Sequence, residues 1–358
     1  MKNCTAKDCA NILISKKNII ILIHSNPDGD CIGSGLATAM MLYELGKNVK
    51  VVCPHTLPER LAFLAKDVPE EILRFGIPVE EDFTPDFIIS TDVASPELLG
   101  RIRELYEGRI NLCIDHHMIN TMDTEYIWRD AQCSACGEMI LELCDELSAI
   151  SEKPLLTASV ADKLYAAIAS DSGSFKYGNT TAKTLLYASR LKSVGADSEV
   201  ISRLLFDTKT LAQFKLTGLC IPKTEFLCEG KLAFCLLLDE ELALCGATKE
   251  DCDGITQIFR EVKGVEVSIF AKQHTDSVTG ENCVKMSLRS NNDVNCAKIC
   301  ETFGGGGHMK AAGCTIRGES CEKARELIIA AAEKELRSLK YTEELHNSIT
   351  NIKITRRE

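Results

Sequence analysis

The stretch IIILIHSNPDGDCIGS, residues 19–34, decides the fold of the first half of the chain. Its apolar residues 19–23 predict a short buried strand, and the proline and glycine that follow predict a turn. The turn carries His24, Asp28 and Asp30. Turn formation alone would account for the two aspartates, so the rest of the chain has to decide whether these side chains are ligands.

Strand and helix patterns alternate through the remainder of the first half. Further strands are predicted at 49–53, 86–91 and 110–115, and helices at 33–46, 134–149, 155–170 and 181–194. This order implies right-handed βαβ units, and therefore a parallel sheet covered by helices on both faces. The strands are apolar along nearly their whole length, as expected of buried parallel strands. The sequence thus predicts an α/β fold for this half.

The pattern changes after about residue 205, where a second, smaller α+β domain is predicted. Its strands are predicted at 231–238, 265–273 and 283–290, and its helices at 248–261, 294–302 and 320–339. The resulting division is a catalytic domain at 1–190, a helical linker at 191–221, a second domain at 222–340 and a tail at 341–358. A length of 358 residues fits two domains better than one core.

Composition and charge restrict the classes of function. A net charge of −11 argues against binding to long duplex nucleic acid, which needs a basic surface, but allows a small phosphorylated substrate. The longest apolar runs are too short to span a bilayer, and the N-terminus has no signal-peptide pattern. We therefore expect a cytoplasmic protein with no membrane partner.

The 18 cysteines are scattered along the chain, and many lie in apolar runs. In a large chain without an export signal they are expected to be reduced, small buried side chains, not a disulfide framework. Cys133 and Cys136 form a C-x-x-C pair with no second pair at zinc-finger spacing. We interpret this pair as the start of a helix.

Acidic and histidine side chains recur at the ends of the predicted strands. Besides the opening turn, these residues are Asp92, Asp115, His116, His117 and Asp171. Each has a structural alternative: Asp92 could cap a helix, and the histidines could be polar loop residues. The carboxyl ends of parallel strands meet at one sheet edge, however, so the joint pattern favours a metal site. Carboxylates mixed with imidazoles suit Mn²⁺ or a similar ion, and their number suits a two-metal phosphoryl-transfer centre.

Five motifs in order resemble those of the DHH/DHHA1 phosphoesterase superfamily. They are HSNPDGDCIGS, STD, DHH, SDSGSF and, in the second domain, ETFGGGGHMKAAG at 301–313. Any one of these motifs is weak, whereas five in the family's order over nearly the whole chain are specific. The resemblance implies a DHH domain followed by a smaller DHHA1 domain.

The resemblance also implies a set of ligands for two divalent ions, with Mn²⁺ expected and Mg²⁺ or Co²⁺ as alternatives. The implied metal ligands are His24, Asp28, Asp30, Asp92, His116 and Asp171. Of these, His24 and Asp28 would hold the first ion, Asp92 would bridge the two, and the remaining three would hold the second. Asp115 would orient His116 through its other ring nitrogen.

For catalysis and substrate binding, the resemblance implies further residues. His117 would face the substrate phosphate, where it could hydrogen-bond a phosphoryl oxygen or help to protonate the leaving alkoxide, so His117 and Asp115 are the expected catalytic residues. The expected substrate-binding residues are His117, Arg289, Gly305, Gly306, Gly307 and His308. A glycine loop lets backbone N–H groups approach an anion, although a plain helix-to-strand connector would also explain the run.

Among the branches of the superfamily, the chain resembles the stand-alone nano-RNase (oligoribonuclease) and pAp phosphatase branch. This implies a Mn²⁺-dependent, 3′–5′ oligoribonuclease-type enzyme that converts nanoRNA or pApA to mononucleotides and 3′-phosphoadenosine 5′-phosphate (pAp) to AMP. The alternatives are a cyclic-di-AMP phosphodiesterase, a RecJ-type single-strand exonuclease and an inactive nucleotide-binding regulator. The family also implies a homodimer, and an active site in a cleft between the domains.

Overall fold

The chain divides into two units, Met1–Thr208 and Lys209–Glu358. The computed structural model describes residues 1–79, 81, 83–248, 250–252, 254–276 and 279–355, without the side chains of 250 and 340–355. The division falls inside the segment 191–221, for which the sequence predicts a linker. No helix in these described ranges is both long and apolar enough to cross a membrane.

The first unit is built on a seven-stranded sheet in which every pair of neighbouring strands is parallel. Its strands are β1 (Lys2–Asn3), β2 (Asn18–Leu22), β3 (Asn48–Cys53), β4 (Leu73–Phe75), β5 (Phe87–Thr91), β6 (Leu112–Asp115) and β7 (Tyr126–Arg129). They are arranged in the order β1-β7-β6-β5-β2-β3-β4. The predicted parallel sheet is confirmed. The sequence analysis did not predict β1, β4 and β7, which have two, three and four residues.

Helices cover both faces of this sheet, as predicted. They are α1 (Ala6–Ile14), α2 (Gly29–Glu44), α3 (Arg103–Tyr106), α4 (Cys136–Ser151), α5 (Ala158–Asp171), α6 (Ala182–Val194) and α7 (Ser198–Ser202). The side chains of β2 alternate between the two cores: Ile19 and Ile21 face the larger one, and Ile20 faces the smaller one. Short helical turns at Glu59–Ala65, Glu70–Ile72, Pro96–Ile102 and Arg203–Asp207 complete the unit.

Two glycines of the opening motif allow α2 to pack closely on α5. A Cβ atom at Gly33 would lie 2.4 Å from the carbonyl oxygen of Lys163, and one at Gly29 would lie 2.7 Å from Cβ of Ser170. Neither contact is tolerable, so only glycine permits this approach. The close packing brings the first turn of α2 next to the last turn of α5, which ends at Asp171.

The second unit contains a six-stranded mixed sheet in the order β12-β13-β11-β10-β9-β8. Its strands are β8 (Glu225–Leu227), β9 (Leu232–Leu237), β10 (Val267–Thr275), β11 (Asn282–Ser290), β12 (Gly306–His308) and β13 (Ala311–Arg317). Its helices are α8 (Leu211–Lys223), α9 (Asp239–Leu244), α10 (Ile255–Arg260), α11 (Cys296–Glu301) and α12 (Cys321–Thr355), with a short turn at Glu250–Cys252. This is the predicted smaller α+β unit.

Two elements of this unit differ from the sequence prediction. The last helix continues to Thr355, through most of the segment predicted as a tail, because no glycine or proline interrupts residues 321–355. The second half of the glycine run forms the short strand β12, where a loop was predicted. The glycine motif therefore lies at the edge of the sheet.

Candidate metal centre

The predicted ligands of the first unit come together at one edge of its sheet. Strands β6, β5 and β2 are neighbours, and their carboxyl ends carry the histidines and aspartates. The C-terminal end of α5 adds Asp171 to the same place. Because parallel strands end at the same edge, three strand ends and one helix end, all distant in sequence, supply one cluster.

One group of ligands surrounds the ring of His116. Its Nε2 atom lies 3.6 Å from Oδ2 of Asp30, 3.3 Å from Oδ2 of Asp171 and 3.5 Å from Oδ1 of Asp92. The donor atoms of Asp30, His116 and Asp171 all lie within 4.8 Å of one another. This is the set that the sequence predicts for the second ion.

A second group lies on the other side of Asp92. Nε2 of His24 is 3.9 Å from Oδ2 of Asp92 and 3.9 Å from Oδ1 of Asp28. The two carboxylate oxygens of Asp92 thus face different groups, Oδ1 towards His116 and Oδ2 towards His24. A carboxylate placed in this way can bridge two ions.

Two buried atoms in the cluster support a metal as its occupant. Among the described residues, Oδ1 of Asp92 and Nε2 of His116 are buried and accept or donate no hydrogen bond. Buried polar atoms are nearly always satisfied, so each of these needs a partner. Asp92 also has a positive φ of 59°, a conformation that is uncommon outside glycine. Carboxylate and imidazole donors around these atoms fit a divalent ion of the Mn²⁺ type.

Asp30 is held rigidly by the N-terminus of α4. The backbone N–H groups of Cys136 and Gly137 donate to its two oxygens at 2.6 and 2.9 Å, and the Ser34 hydroxyl donates at 2.9 Å. Burial, followed by the charge of Asp171, raises the pKa of Asp30 to about 7. The carboxylate is therefore fixed in position before any ion binds.

The two adjacent histidines have different partners from those predicted. Oδ1 of Asp115 lies 2.7 Å from Nδ1 of His117, and Asn120 donates to the other oxygen at 2.7 Å. The expectation that Asp115 orients His116 is therefore wrong. Instead, Nδ1–H of His116 donates to the carbonyl oxygen of Cys133 at 3.3 Å. That bond leaves the Nε2 lone pair of His116 to a metal.

Several supporting groups were missed by the sequence analysis. One of them is Glu138, which is 0% exposed and accepts hydrogen bonds from the hydroxyls of Ser134 and Thr184, both at 2.6 Å. Glu138 thereby holds the loop whose Cys133 carbonyl accepts the hydrogen bond from His116.

Cys136 begins helix α4, as the sequence analysis interpreted it. The backbone donors and acceptors of this loop leave no signal in a sequence.

Cys31 lies close enough to His24 and Asp92 to be a third donor to the first group. Burial raises the pKa of its thiol well above the ordinary value, so the thiol stays protonated. A protonated thiol is a poor ligand for an ion that prefers oxygen, and its sulfur already accepts a hydrogen bond from the backbone N–H of His24 at 3.2 Å. Cys31 therefore packs against the first group of ligands and is not expected to bind its ion.

The titrating groups of the metal-free cluster predict a pH dependence of stability. Burial lowers the pKa of His116, but the Asp171 carboxylate, whose Oδ2 lies 3.3 Å from Nε2, and the charge of Asp30 outweigh this effect and raise the pKa to about 9. An unfolded histidine titrates at about 6.5, so between these values the folded state binds more protons. We expect the melting temperature of chelator-treated protein to fall by a few degrees from pH 6.5 to about 8.

The measurement is a thermal-unfolding series across this pH range. Asp30 acts in the same direction, because its folded pKa of about 7 lies above the unfolded value of about 3.9. Added Mn²⁺ should flatten or reverse the slope, since metal binding displaces these protons. A metal-free melting temperature that rises with pH, or a slope unchanged in His116→Gln, would contradict the assignment.

The predicted substrate residues of the second unit lie together on its sheet. Arg289 and His308 are both directly opposite Ala311, on its two sides, so all three share one face. The glycines have separate reasons. A Cβ at Gly305 or Gly307 would lie 2.3 or 2.6 Å from carbonyl oxygens of β13, whereas one at Gly306 would meet nothing within 4 Å.

Comparison with known proteins gives consistent matches for both units. Residues 18–168 match the family model described as "DHH family, N-terminal domain", and residues 242–336 match that of the DHHA1 domain. The bifunctional oligoribonuclease and PAP phosphatase NrnA of Thermus thermophilus is 31% identical over 319 residues, which cover 89% of this chain and 90% of that protein. The NrnA protein of Bacillus subtilis is 28% identical, with 83% and 89% covered.

A solved structure has the same fold over nearly the whole chain. An exopolyphosphatase-related protein from Bacteroides fragilis matches with a TM-score of 0.82 at 23% identity, covering 94% of this chain and 97% of that one. At this identity the likeness concerns the fold. The two-unit architecture described above is therefore shared with an experimentally solved protein.

Proposed function

We propose that this protein hydrolyses short oligonucleotides to mononucleotides, and pAp to AMP. The chain belongs to the DHH family and carries a DHHA1 domain. Family membership makes it a phosphoesterase. The observation that carries the proposal is the bridging position of Asp92 between two groups of ligands. The NrnA relatives, whose names describe oligoribonucleases and PAP phosphatases, support this choice of substrate.

The proposed ligands divide around the central carboxylate. Asp92 serves both ions, the first with His24 and Asp28, and the second with Asp30, His116 and Asp171. When bound, such a pair of ions supplies an activated water and neutralises charge on the phosphoryl group. We propose Mn²⁺ as the ion, with Mg²⁺ or Co²⁺ as alternatives, because oxygen and imidazole donors suit all three.

His117 is the proposed proton donor. Its Nδ1 atom is held by Asp115, and that hydrogen bond, reinforced by the carboxylate charge, raises the pKa of His117 above its ordinary value. A raised pKa favours the protonated ring, whose Nε2–H can donate to the leaving oxygen of the substrate. Asp115 fixes the ring through a carboxylate that Asn120 holds in turn.

Substrate phosphate is proposed to bind Arg289 and His308 in the second unit, with the backbone at Gly306 open to its approach. Two observations support this. Both side chains share one face of the sheet. Beside them, Gly306 is the glycine of the run that has open space around its Cβ position and no positive φ. Arginine matches a phosphate with two parallel hydrogen bonds. Phosphate contacts position a substrate without reading its bases, so we expect little base preference.

Replacing Arg289 with glutamine should raise KM for pApA at least tenfold while kcat changes little. The guanidinium is proposed to hold the substrate equally in the ground and transition states, and loss of such uniform binding appears in KM. Steady-state kinetics on pApA measure this directly. Arg325, which pairs with Glu225, offers a matched control, and Arg325→Gln should leave KM unchanged. Unaltered kinetics in Arg289→Gln would remove this residue from the site.

The function itself is tested with a panel of substrates. Purified protein with Mn²⁺, Mg²⁺ or Co²⁺ is offered pApA, a ladder of short RNAs, pAp, pyrophosphate and cyclic-di-AMP, and products are followed over time. We expect cleavage of pApA and short RNA from the 3′ end, and release of phosphate from pAp. Exclusive cleavage of cyclic-di-AMP or pyrophosphate would reassign the branch of the family. Two bound ions with no hydrolysis would refute the proposed enzymatic activity.

We also propose that the protein is a cytoplasmic homodimer. Cell fractionation tests its location, and light scattering tests its oligomeric state.

A further inference from the structure

We propose that Lys272 and Lys285 form a second phosphate site on the sheet of the second unit, which binds the backbone of substrates longer than a dinucleotide. The proposal deepens the proposed function, because it takes the oligonucleotide of that function as its occupant. It concerns a part of the sheet that lies beyond Arg289 and His308. Its consequence is a dependence of substrate affinity on chain length.

The two lysines lie directly opposite each other on neighbouring strands. Lys272 of β10 is paired with Lys285 of β11, and Lys285 is paired with Thr315 of β13. Directly opposed residues point to the same face of a sheet, and so do residues two apart on one strand. Lys285 therefore shares its face with Arg289, four residues further along β11.

This face is open from Lys285 to Arg289 on β11, and over the neighbouring residues of β13 and β12. The opposite face is covered by α11 and α12, which bury alternate residues such as Met286 and Leu288. On the lysine face, α8 and α10 cover β9 and the beginning of β10, where the Ser268 hydroxyl donates to the Thr256 carbonyl. Further along, Lys285 is exposed and Lys272 is half-buried. The open part of the face is thus a surface, not a core.

Without a bound anion, the two opposed lysines destabilise the folded protein. Like charges directly across two strands repel, and within the described part of the chain neither lysine forms an ion pair. In a chain with a net charge of −11, carboxylates that could neutralise them are plentiful, and Arg317 nearby does pair with Asp276. An anion bound between the two lysines would offset the repulsion.

The spacing of the cations fits an extended phosphate backbone. Four residues along a strand span about 14 Å, which is longer than the rise of about 3.4 Å per stacked nucleotide and leaves room for more than one phosphate between Arg289 and Lys285. The residues between them on this face are small: Ser287 is opposite Gly313, and Gly313 is opposite Gly306. A flat floor flanked by cations is the form of surface that single-stranded nucleic acids follow.

The test compares wild type with the double variant Lys272→Gln, Lys285→Gln on pApA and on a tetranucleotide RNA across a salt series. Each phosphate contact on a single strand contributes about 0.7 to the slope of log affinity against log salt, so losing two should lower the tetranucleotide slope by about 1.4. KM for the tetranucleotide should rise by roughly tenfold at low salt, and KM for pApA should stay unchanged. The matched control is Lys334→Gln, an exposed lysine on α12.

The outcomes separate this inference from the function on which it rests. If wild type cleaves neither oligonucleotide, the proposed function is wrong. If wild type cleaves both and the double variant keeps its salt slope on the tetranucleotide, the second phosphate site is wrong. An equal rise of KM on both substrates, or the same effect in Lys334→Gln, would also overturn it, and unchanged melting temperatures show that all variants are folded.

Discussion

We expect the Asp92→Asn variant to lose most of its bound metal and more than about 100-fold in kcat. Removing a group that merely hydrogen-bonds a metal ligand costs up to about 100-fold, and loss of a ligand itself should cost more. The carboxylate of Asp92 faces both groups of donors, so its removal weakens both proposed metal sites at once. Asparagine is the variant of choice because it matches aspartate in size and tolerates the positive φ of 59° at this position.

The same substitution should stabilise the metal-free protein. Burial, followed by the charge of Asp30, raises the pKa of Asp92 well above its ordinary value, which means that the folded state resists its ionisation. Asparagine carries no charge and removes that penalty, as expected where a site sacrifices stability for function. Metal content, kcat and the melting temperature in chelator are measured together, with the exposed Asp123→Asn as control. Full metal content with full turnover would show that Asp92 is not the bridge.

The location of the candidate metal centre could be predicted from the sequence because it follows from topology. Parallel strands place their carboxyl ends at one edge, so polar residues after β2, β5 and β6 had to meet whatever the details of packing. The glycines of the opening motif are visible in the sequence, but the contacts that require glycine at these positions are not. Gly33 is required by the carbonyl of Lys163, a residue 130 positions away in the chain.

The partners of the histidines show which errors were avoidable. Asp115 is the last residue of β6, and side chains two apart on an extended backbone point the same way. Alternation alone therefore favours His117 over His116 as its partner, and this signal was overlooked. By contrast, the Cys133 carbonyl and the Cys136 N–H are backbone groups presented by a loop and a helix start, and no residue pattern encodes where they point.

The glycine run shows how one motif can have two causes. Its predicted purpose was close approach of an anion, yet Gly305 and Gly307 are explained by the close approach of β13 alone. Gly304, with a φ of +68°, is explained by the turn that precedes β12. Only at Gly306 does nothing in the described chain demand glycine, so the substrate hypothesis narrows from the whole run to one residue.

His117→Gln should lower kcat by about 10² to 10⁴-fold, the usual contribution of a positioned proton donor. Metal content should stay near that of wild type, because the proposed ligands of both ions remain. Glutamine keeps a hydrogen-bond donor at a similar reach, so a residue that only hydrogen-bonds the phosphate would lose far less. Single-turnover kinetics with metal analysis distinguish these two roles, which the sequence left open.

The pH profile of Asp115→Asn makes the distinction sharper. If His117 donates the proton, kcat falls as the pH rises through its pKa, and Asp115 is what raises that pKa. Asparagine keeps a hydrogen-bond acceptor but loses the charge, so the pH above which kcat falls should move down. A phosphate-binding role predicts a lower kcat with the same profile, because no proton transfer would then depend on Asp115. A profile that stays in place would therefore leave His117 as a binding residue, and the proton of the leaving group would need another source.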